Sequence, residues 1–376
     1  MIPFNKPFLV GKETQYIEKA VRSGKISGNG DFTVKCQNFF ETKFSFKKAL
    51  LTTSCTDALE MAAMLMDIKP GDEVIVPSYT FVSSALAFTR QGAKIIFADS
   101  REDHPGINEK SIENLITDKT KAIVIVHYAG VACDMDIVME VAKKHNIYVV
   151  EDAAQAIDSY YKGKPLGSIG HFGAFSFHET KNIISGEGGL LTINDEQFID
   201  RAEVIWEKGT NRSAFFKGEV NKYGWVDTGS SFLPSELIAA FLYAQLEHLK
   251  DIQAKRKEIW NTYFKDLNVL QNQNLLKLAT LPDYATNNAH MFYVVTKNVQ
   301  ERDALIAHLR ANKIHSVFHY LSLHKSDYHT NNSNEAVQNL PEADRYTDCL
   351  IRLPLFYDLD IEDAKKIALT IKLFFK

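Results

Sequence analysis

The first half of this chain is punctuated by short, almost uninterrupted Val/Ile runs, such as KAIVIVHY at Lys121–Tyr128 and IYVVED at Ile147–Asp152. A strand with one wet face alternates apolar and polar residues, whereas a run this continuous belongs to a strand covered on both faces. The pattern predicts strands at Ala49–Thr53, Glu73–Val76, Lys94–Ala98, Lys121–His127, Ile147–Glu151, Phe172–Phe177 and Gly189–Ile193. Helical spacing fills the gaps at Thr56–Asp67, Ser83–Gln91, Asn108–Ile116 and Asp136–His145. Strands alternating with helices in this way imply an α/β fold with a mainly parallel sheet and right-handed crossovers.

Beyond Gly189 the rhythm changes. A long helical pattern runs from about Ser235 to Leu267, followed by a strand at Ala289–Thr296, a helix at Gln300–Ala311, a strand at Ile314–His319 and a final helix at Ile361–Phe375. The chain thus divides into a large unit with an N-terminal arm, residues 1–250, and a smaller α+β unit, residues 251–376. The polar stretch His329–Asn339 lacks periodicity and reads as a mobile loop, and Arg212–Gly224 reads as another.

Composition narrows the classes of function. Hydrophobic residues are 45% and charged residues 24%, which excludes disorder as the main state. Forty-three basic against 47 acidic side chains give −4, without the basic surplus that a nucleic-acid binder needs. The four cysteines are scattered with no C-x-x-C pair, as expected in a reducing compartment without a disulfide framework. There is no charged-then-apolar leader and no long apolar run, so a cytoplasmic protein with no membrane association is expected. HETKN at His178–Asn182 lacks the second histidine of a zinc-protease helix, and no metal site is expected. GNGDFT at Gly28–Thr33 follows no strand and lacks the third glycine of a dinucleotide fingerprint.

Three segments lie where an open α/β sheet binds ligands, past the carboxyl ends of its strands. In LTTSCTDAL a strand gives way at once to a helix, so the N–H groups of Cys55 and Thr56 suit a phosphate; plain N-capping by Ser54 or Thr56 is the simpler reading of that turn alone. In VVEDAAQA an apolar strand closes on Glu151 and Asp152, with Gln155 one turn on; a cap on the next segment would also account for them. In FGAFSFHETKNIISGEGG, Lys181 sits between an apolar strand and a glycine-rich turn. Most lysines are solvated surface charges, but one among apolar groups and other cations can lose its proton and form a Schiff base.

Together these segments resemble the sugar aminotransferases of the DegT/DnrJ/EryC1 type, fold-type-I pyridoxal-phosphate enzymes. The resemblance is carried by SCTDAL at Ser54–Leu59, EDAAQ at Glu151–Gln155, SFHETK at Ser176–Lys181 and GEGG at Gly186–Gly189, with IPFNKP, HYLSLH and RLPLFY extending it along the chain. It implies Lys181 as the Schiff-base lysine, Asp152 as partner of the cofactor's ring nitrogen, Gln155 beside the ring hydroxyl and Phe81 stacked on the ring. Ser54, Cys55, Thr56 and Ser176 would hold the phosphate. Ser230, in TGSSFLPS, stands where many members have an asparagine that reaches the neighbouring subunit's phosphate, which implies a homodimer with a shared site. His319 and Tyr320 are candidate substrate contacts and equally a packed histidine and a core tyrosine, while Arg212 and Lys217 face either a diphosphate or solvent.

The resemblance implies ping-pong transfer of an amino group from L-glutamate to a nucleotide-linked keto sugar. HYAGVACDMD, EKGTNRSAFF and DTGSSFLPSELIAA narrow it to members acting at C4 of dTDP-4-keto-6-deoxyglucose with a galacto product, for cell-surface polysaccharides. Amination at C3, the gluco epimer, and a non-catalytic regulator binding pyridoxal phosphate or a sugar nucleotide are the alternatives.

Overall fold

A computed structural model describes residues 1–333 and 336–376. Asn334 and Glu335, within the segment expected to be a mobile loop, lie outside the described residues. The large sheet has seven strands: β1 Lys48–Thr52, β2 Glu73–Pro77, β3 Lys94–Ala98, β4 Thr120–Val126, β5 Tyr148–Asp152, then, after a two-residue hairpin (β6 Tyr160–Tyr161, β7 Lys164–Pro165), β8 Phe172–Ser176 and β9 Gly189–Ile193. Their spatial order is β1-β9-β8-β5-β4-β2-β3. Pairings from β3 through β8 are parallel, and β9 alone runs backwards, antiparallel to both β8 and β1. Six strands therefore end at one edge of the sheet, and β9 begins there.

Burial explains the apolar runs. Every residue of β2 and β9 is buried, and all but one of β4. One face packs against α1 (Glu13–Arg22), α2 (Asp31–Phe44), α5 (Met135–His145) and α8 (Glu236–Glu247), in a core with Phe40, Ile123, Val138 and Leu242. The other carries α3 (Cys55–Leu65), α4 (Ser83–Thr89) and α6 (Ile199–Trp206), around Leu59, Phe88, Val124 and Ile205.

The remaining helices are α7 Arg212–Phe216, α9 Leu249–Asn272, α10 Val299–Ala311, α11 Asp327–Asn332, α12 Pro341–Cys349 and α13 Ile361–Phe374. The single long helix expected at Ser235–Leu267 is α8 and α9, broken at His248, whose φ of −107° and ψ of 10° leave the helical region. The break serves two cores. Leu249 and Ile252 pack with the large sheet, whereas Ile259, Trp260, Tyr263 and Leu267 pack under a second sheet. That sheet orders β10 (Lys277–Leu278), β11 (Phe292–Val295) and β12 (Leu350–Leu353).

Other expectations need correction. Ile314–His319 is no strand of that sheet. It makes only isolated bridges, Ile314 with Ile2 and Val317 with Arg352, and the third strand is β12, too short and too close to Pro354 to stand out in the sequence. Asn108–Ile116 is a 3₁₀ turn at Glu109–Leu115, and Arg212–Gly224 begins with the short helix α7. Among the described residues no helix is long and apolar enough to cross a membrane.

The start of α2 is held from afar. Gly30, its N-cap, has no side chain to offer, so Glu236 of α8 accepts the N–H groups of Gly30 (3.0 Å), Phe32 (2.7 Å) and Thr33 (3.0 Å), and the Thr33 hydroxyl. Glu236 is 2% exposed. Replacing it with Ala orphans these donors, and Glu236→Ala should lower stability by about 3 kcal/mol in urea unfolding. A loss below about 0.5 kcal/mol, the usual range for neutral surface changes, would contradict this cap.

Candidate active site

At the shared strand edge lies a cavity of about 510 Å³, lined by the ends of β1, β4, β5 and β8 and closed by residues around the second sheet. Its floor is the turn after β1. Ser54, extended in backbone, accepts the Asp57 N–H on its hydroxyl at 3.1 Å, so the plain capping reading holds for this residue. The N–H groups of Cys55 and Thr56 open the helix, where no intrahelical carbonyl can reach them, and both residues line the cavity. The Thr56 hydroxyl meets that of Ser83 at 2.7 Å, and burial pushes the Cys55 thiol's pKa well up, keeping it protonated. Gly189 makes this floor possible: a Cβ there would lie 2.3 Å from the Ser54 carbonyl carbon and 2.5 Å from the Cys55 nitrogen.

Strand alternation separates the two carboxylates of β5. Glu151, fully buried, takes the N–H groups of Gly167 (2.7 Å), Ile169 (2.7 Å) and Gly170 (2.6 Å) and faces His127 Nε2 at 2.9 Å, so it anchors a loop. Asp152 lines the cavity, accepting Ser84 Oγ at 2.6 Å on one oxygen and the Ala154 N–H at 3.1 Å on the other. Each oxygen keeps a lone pair for a further donor. Gln155 is spoken for by protein: its carbonyl accepts the Ala129 N–H at 2.6 Å and its amide donates to the Tyr320 hydroxyl at 3.0 Å.

Lys181 lies in the connection between β8 and β9 and reaches the same cavity, along with Ser176. Its amine has no hydrogen bond or ion pair with a described residue. Desolvation, opposed by the Cys55 thiol and Asp152 and reinforced by the Arg352 cation, lowers its pKa below that of an ordinary lysine. Lys181 is desolvated and has a neighbouring cation, and the cation is Arg352, which sequence reading missed. His290 was missed too; its Nδ1 lies 2.9 Å from Asn182 Oδ1. Arg352 stands in RLPLFY and His290 in NNAHMFYVV, and nothing in either segment marks its residue as facing Lys181.

The remaining expectations divide. Phe81, 56% exposed, lines the cavity, as do His319 and Tyr320. His319 Nδ1 meets the Tyr128 hydroxyl at 2.7 Å and its ring stacks on Tyr320 at 3.5 Å, so both residues are packed and cavity-facing at once. Burial drives the His319 pKa well down and leaves the ring neutral. Arg212 and Lys217 do not reach the cavity, because local carboxylates take them: Arg212 faces Glu207 at 3.8 Å and Lys217 pairs with Glu203 at 2.5 Å. Ser230 is exposed and outside the cavity of its own chain; its carbonyl accepts the Lys208 N–H.

A model of the DegT/DnrJ/EryC1/StrS aminotransferase family matches residues 8–372. The chain belongs to the DegT/DnrJ/EryC1/StrS aminotransferase family. Relatives in this family include the GDP-perosamine synthase of Escherichia coli O157:H7, 33% identical with 100% of this chain and 98% of the relative covered, and that of Caulobacter vibrioides, 35% identical with 83% of each covered. Among solved structures, an aminotransferase from Psychrobacter cryohalolentis superposes with a TM-score of 0.93 at 28% identity, covering 99% of both chains. A Streptococcus pneumoniae protein named as a sugar aminotransferase, in its PLP form, gives 0.90 at 27%, covering 99% of this chain and 98% of the other. The family's fold-type-I α/β architecture is that of this chain.

The lowered Lys181 pKa has a measurable sign. Its neutral amine appears at lower pH than that of exposed lysines, so reductive methylation of the cofactor-free chain, followed by mass spectrometry across pH, should give Lys181 the lower midpoint. Asp152→Asn removes an anion that favours the ammonium and should move the midpoint further down. A Lys181 midpoint equal to that of surface lysines would contradict this electrostatic picture.

Proposed function

We propose that this sugar aminotransferase uses pyridoxal phosphate to move the amino group of L-glutamate to C4 of a nucleotide-linked 4-keto-6-deoxy sugar. The reading rests on one observation: Lys181, with a depressed pKa and an amine unpaired among the described residues, shares a cavity with Asp152 above the open N-terminus of α3. These residues fit the cofactor. The N–H groups of Cys55 and Thr56, with the Ser54 and Ser176 hydroxyls, suit its phosphate; Asp152 has a lone pair for a protonated ring nitrogen; the exposed face of Phe81 suits the ring. Bound there, pyridoxal phosphate supplies an electron sink for the carbon that loses its proton.

The chain's own residues supply the rest. Lys181 moves the proton between the substrate carbon and the cofactor in both half-reactions, and a pKa brought down by burial keeps a neutral amine available for that step. Asp152 holds the ring nitrogen's proton. His319 and Tyr320, fixed by Tyr128 and Gln155, form a wall against which the sugar packs. Arg212 and Lys217, tied to their own carboxylates, have no part in this reading.

A second subunit completes it. Trp225, 83% exposed, lies with exposed Phe216 and Val226 in the segment that carries Ser230, so this face suits a homodimer whose partner cavity Ser230 approaches. The acceptor dTDP-4-keto-6-deoxyglucose, giving the galacto 4-amino sugar for a cell-surface polysaccharide, is the first choice. A GDP-linked sugar is the second, favoured by the names of the Escherichia coli and Caulobacter relatives.

Purified protein with bound cofactor should be yellow and bleach on adding L-glutamate, and Lys181→Ala should abolish that conversion. Asp152→Asn should slow it by roughly 10³-fold or more, the scale on which loss of one preorganised electrostatic partner acts. NMR of the product from dTDP- and GDP-linked 4-keto-6-deoxy sugars fixes nucleotide, ring position and epimer. A Lys181→Ala protein that turns over normally, or a wild-type protein that L-glutamate leaves unchanged, would overturn the reading.

A further inference from the structure

Besides Lys181, Arg352 is a cavity-lining cation that the fold brings in and leaves without a counter-charge among the described residues. It is the third residue of β12, locked by backbone bonds on both sides: its N–H donates to the Val317 carbonyl at 2.8 Å, and it registers against Tyr293 of β11. Its guanidinium lies 4.7 Å over the Phe4 ring, beside the phenols of Tyr79, Tyr128 and Tyr320. No described carboxylate pairs with it, no guanidinium nitrogen donates a hydrogen bond to a described residue, and Nε is fully buried without a partner. Arg256 shows how this chain treats a structural arginine: almost fully buried, it gives its nitrogens to the Ala289 carbonyl (3.1 Å) and the His290 carbonyl (2.7 Å). Arginine does not shed its proton, so a half-buried guanidinium whose five donors meet no acceptor among the described residues is a site prepared for an anion.

The other groups around it narrow the anion. His290 and His319 line the cavity, but burial keeps both rings neutral. The hydrogen-bond network also fixes the His290 tautomer. Asn182 Nδ2 donates to Gln253 Oε1 (2.7 Å) and to the Asn288 carbonyl (2.9 Å), so its Oδ1 must accept from His290 Nδ1–H. His290 Nε2 is then a bare acceptor, suited to an ammonium and unsuited to an anion. A diphosphate wants several cations; here one planar guanidinium stands beside a neutral acceptor, the complement of an α-amino acid's carboxylate and ammonium.

We infer that Arg352 binds the carboxylate of the amino donor, with His290 Nε2 accepting from its ammonium. This deepens the proposed function and rests on it for the identity of the donor. The contact of Phe4 with Arg352 also gives the N-terminal arm a role: Ile2 bridges to Ile314, Asn5 donates to the Glu179 carbonyl, and Phe4 and Asn5 line a small pocket together with His290 and Arg352.

The test uses the wild-type holoenzyme, Arg352→Ala and Arg352→Lys, with thermal unfolding to confirm that each variant folds. Three quantities are measured: half-saturation by L-glutamate in the bleaching reaction, Kd for glutarate (a dicarboxylate that cannot donate an amine) from perturbation of the cofactor spectrum, and KM for the sugar nucleotide. Arg352→Ala should weaken L-glutamate and glutarate each by roughly 100-fold, as expected when one partner of a buried charge pair is removed, and leave the sugar-nucleotide KM within about twofold. Arg352→Lys should recover part of the loss. Glutarate and L-glutamate affinities unchanged in a folded Arg352→Ala protein would overturn the inference, as would a rise confined to the sugar-nucleotide KM, which puts Arg352 at the diphosphate. If wild-type protein binds glutarate through Arg352 yet never bleaches with L-glutamate, the carboxylate site stands and the donor in the proposed function falls.

Discussion

The whole site depends on how closely β9 approaches the turn after β1. β9 is the one reversed strand of the large sheet, wedged between β1 and β8, and its first residue lies against the Ser54–Cys55 peptide, where even a methyl group would collide. The register pairs Gly189 with both Thr52 and Ser176. As a result, the opening of α3, the end of β8 and the connection carrying Lys181 meet at a single edge. Parallel pairing then adds the ends of β4 and β5, with Val126 opposite Asp152. Residues more than 120 positions apart in sequence, Ser54 and Lys181 among them, become walls of one cavity through strand direction alone.

Charge inside that cavity is sparse and purposeful. The Arg352 cation makes the Lys181 ammonium less favourable, and Asp152 works in the opposite sense on Lys181. Two of the histidines, His290 and His319, are neutralised by burial and each is held by a specific partner, Asn182 for His290 and Tyr128 for His319. Elsewhere Glu203 and Glu207 answer Lys217 and Arg212, whereas Arg352 in the cavity has no carboxylate partner among the described residues.

What the sequence made legible follows the range of the forces involved. Doubly buried strands announce themselves by apolar runs, and all seven strands of the large sheet stand where those runs predicted them. Ser54, Cys55, Thr56, Asp152 and Ser176 lie at or just past strand ends and Lys181 in the connection after β8, and all six line the cavity; the strand ends were legible in the sequence, while Ser176 was named only through the family resemblance. His290 and Arg352 were not legible, because they come from the small sheet, whose strands are short and whose approach to Lys181 is a matter of tertiary packing. The break at His248 was hidden for a similar cause: no glycine or proline marks it, and only the need to serve two cores bends the chain there. For Arg212 and Lys217 the sequence left diphosphate and solvent open, because it does not show the Glu207 and Glu203 partners that the fold brings to them.

The most direct measurement is borohydride reduction of the protein equilibrated with pyridoxal phosphate, followed by proteolysis and mass spectrometry. A single pyridoxyl adduct on Lys181, absent from Lys181→Ala and from unreduced protein, is the expected result. No adduct, or one carried mainly by another lysine, would contradict the assignment of this cavity as the cofactor site.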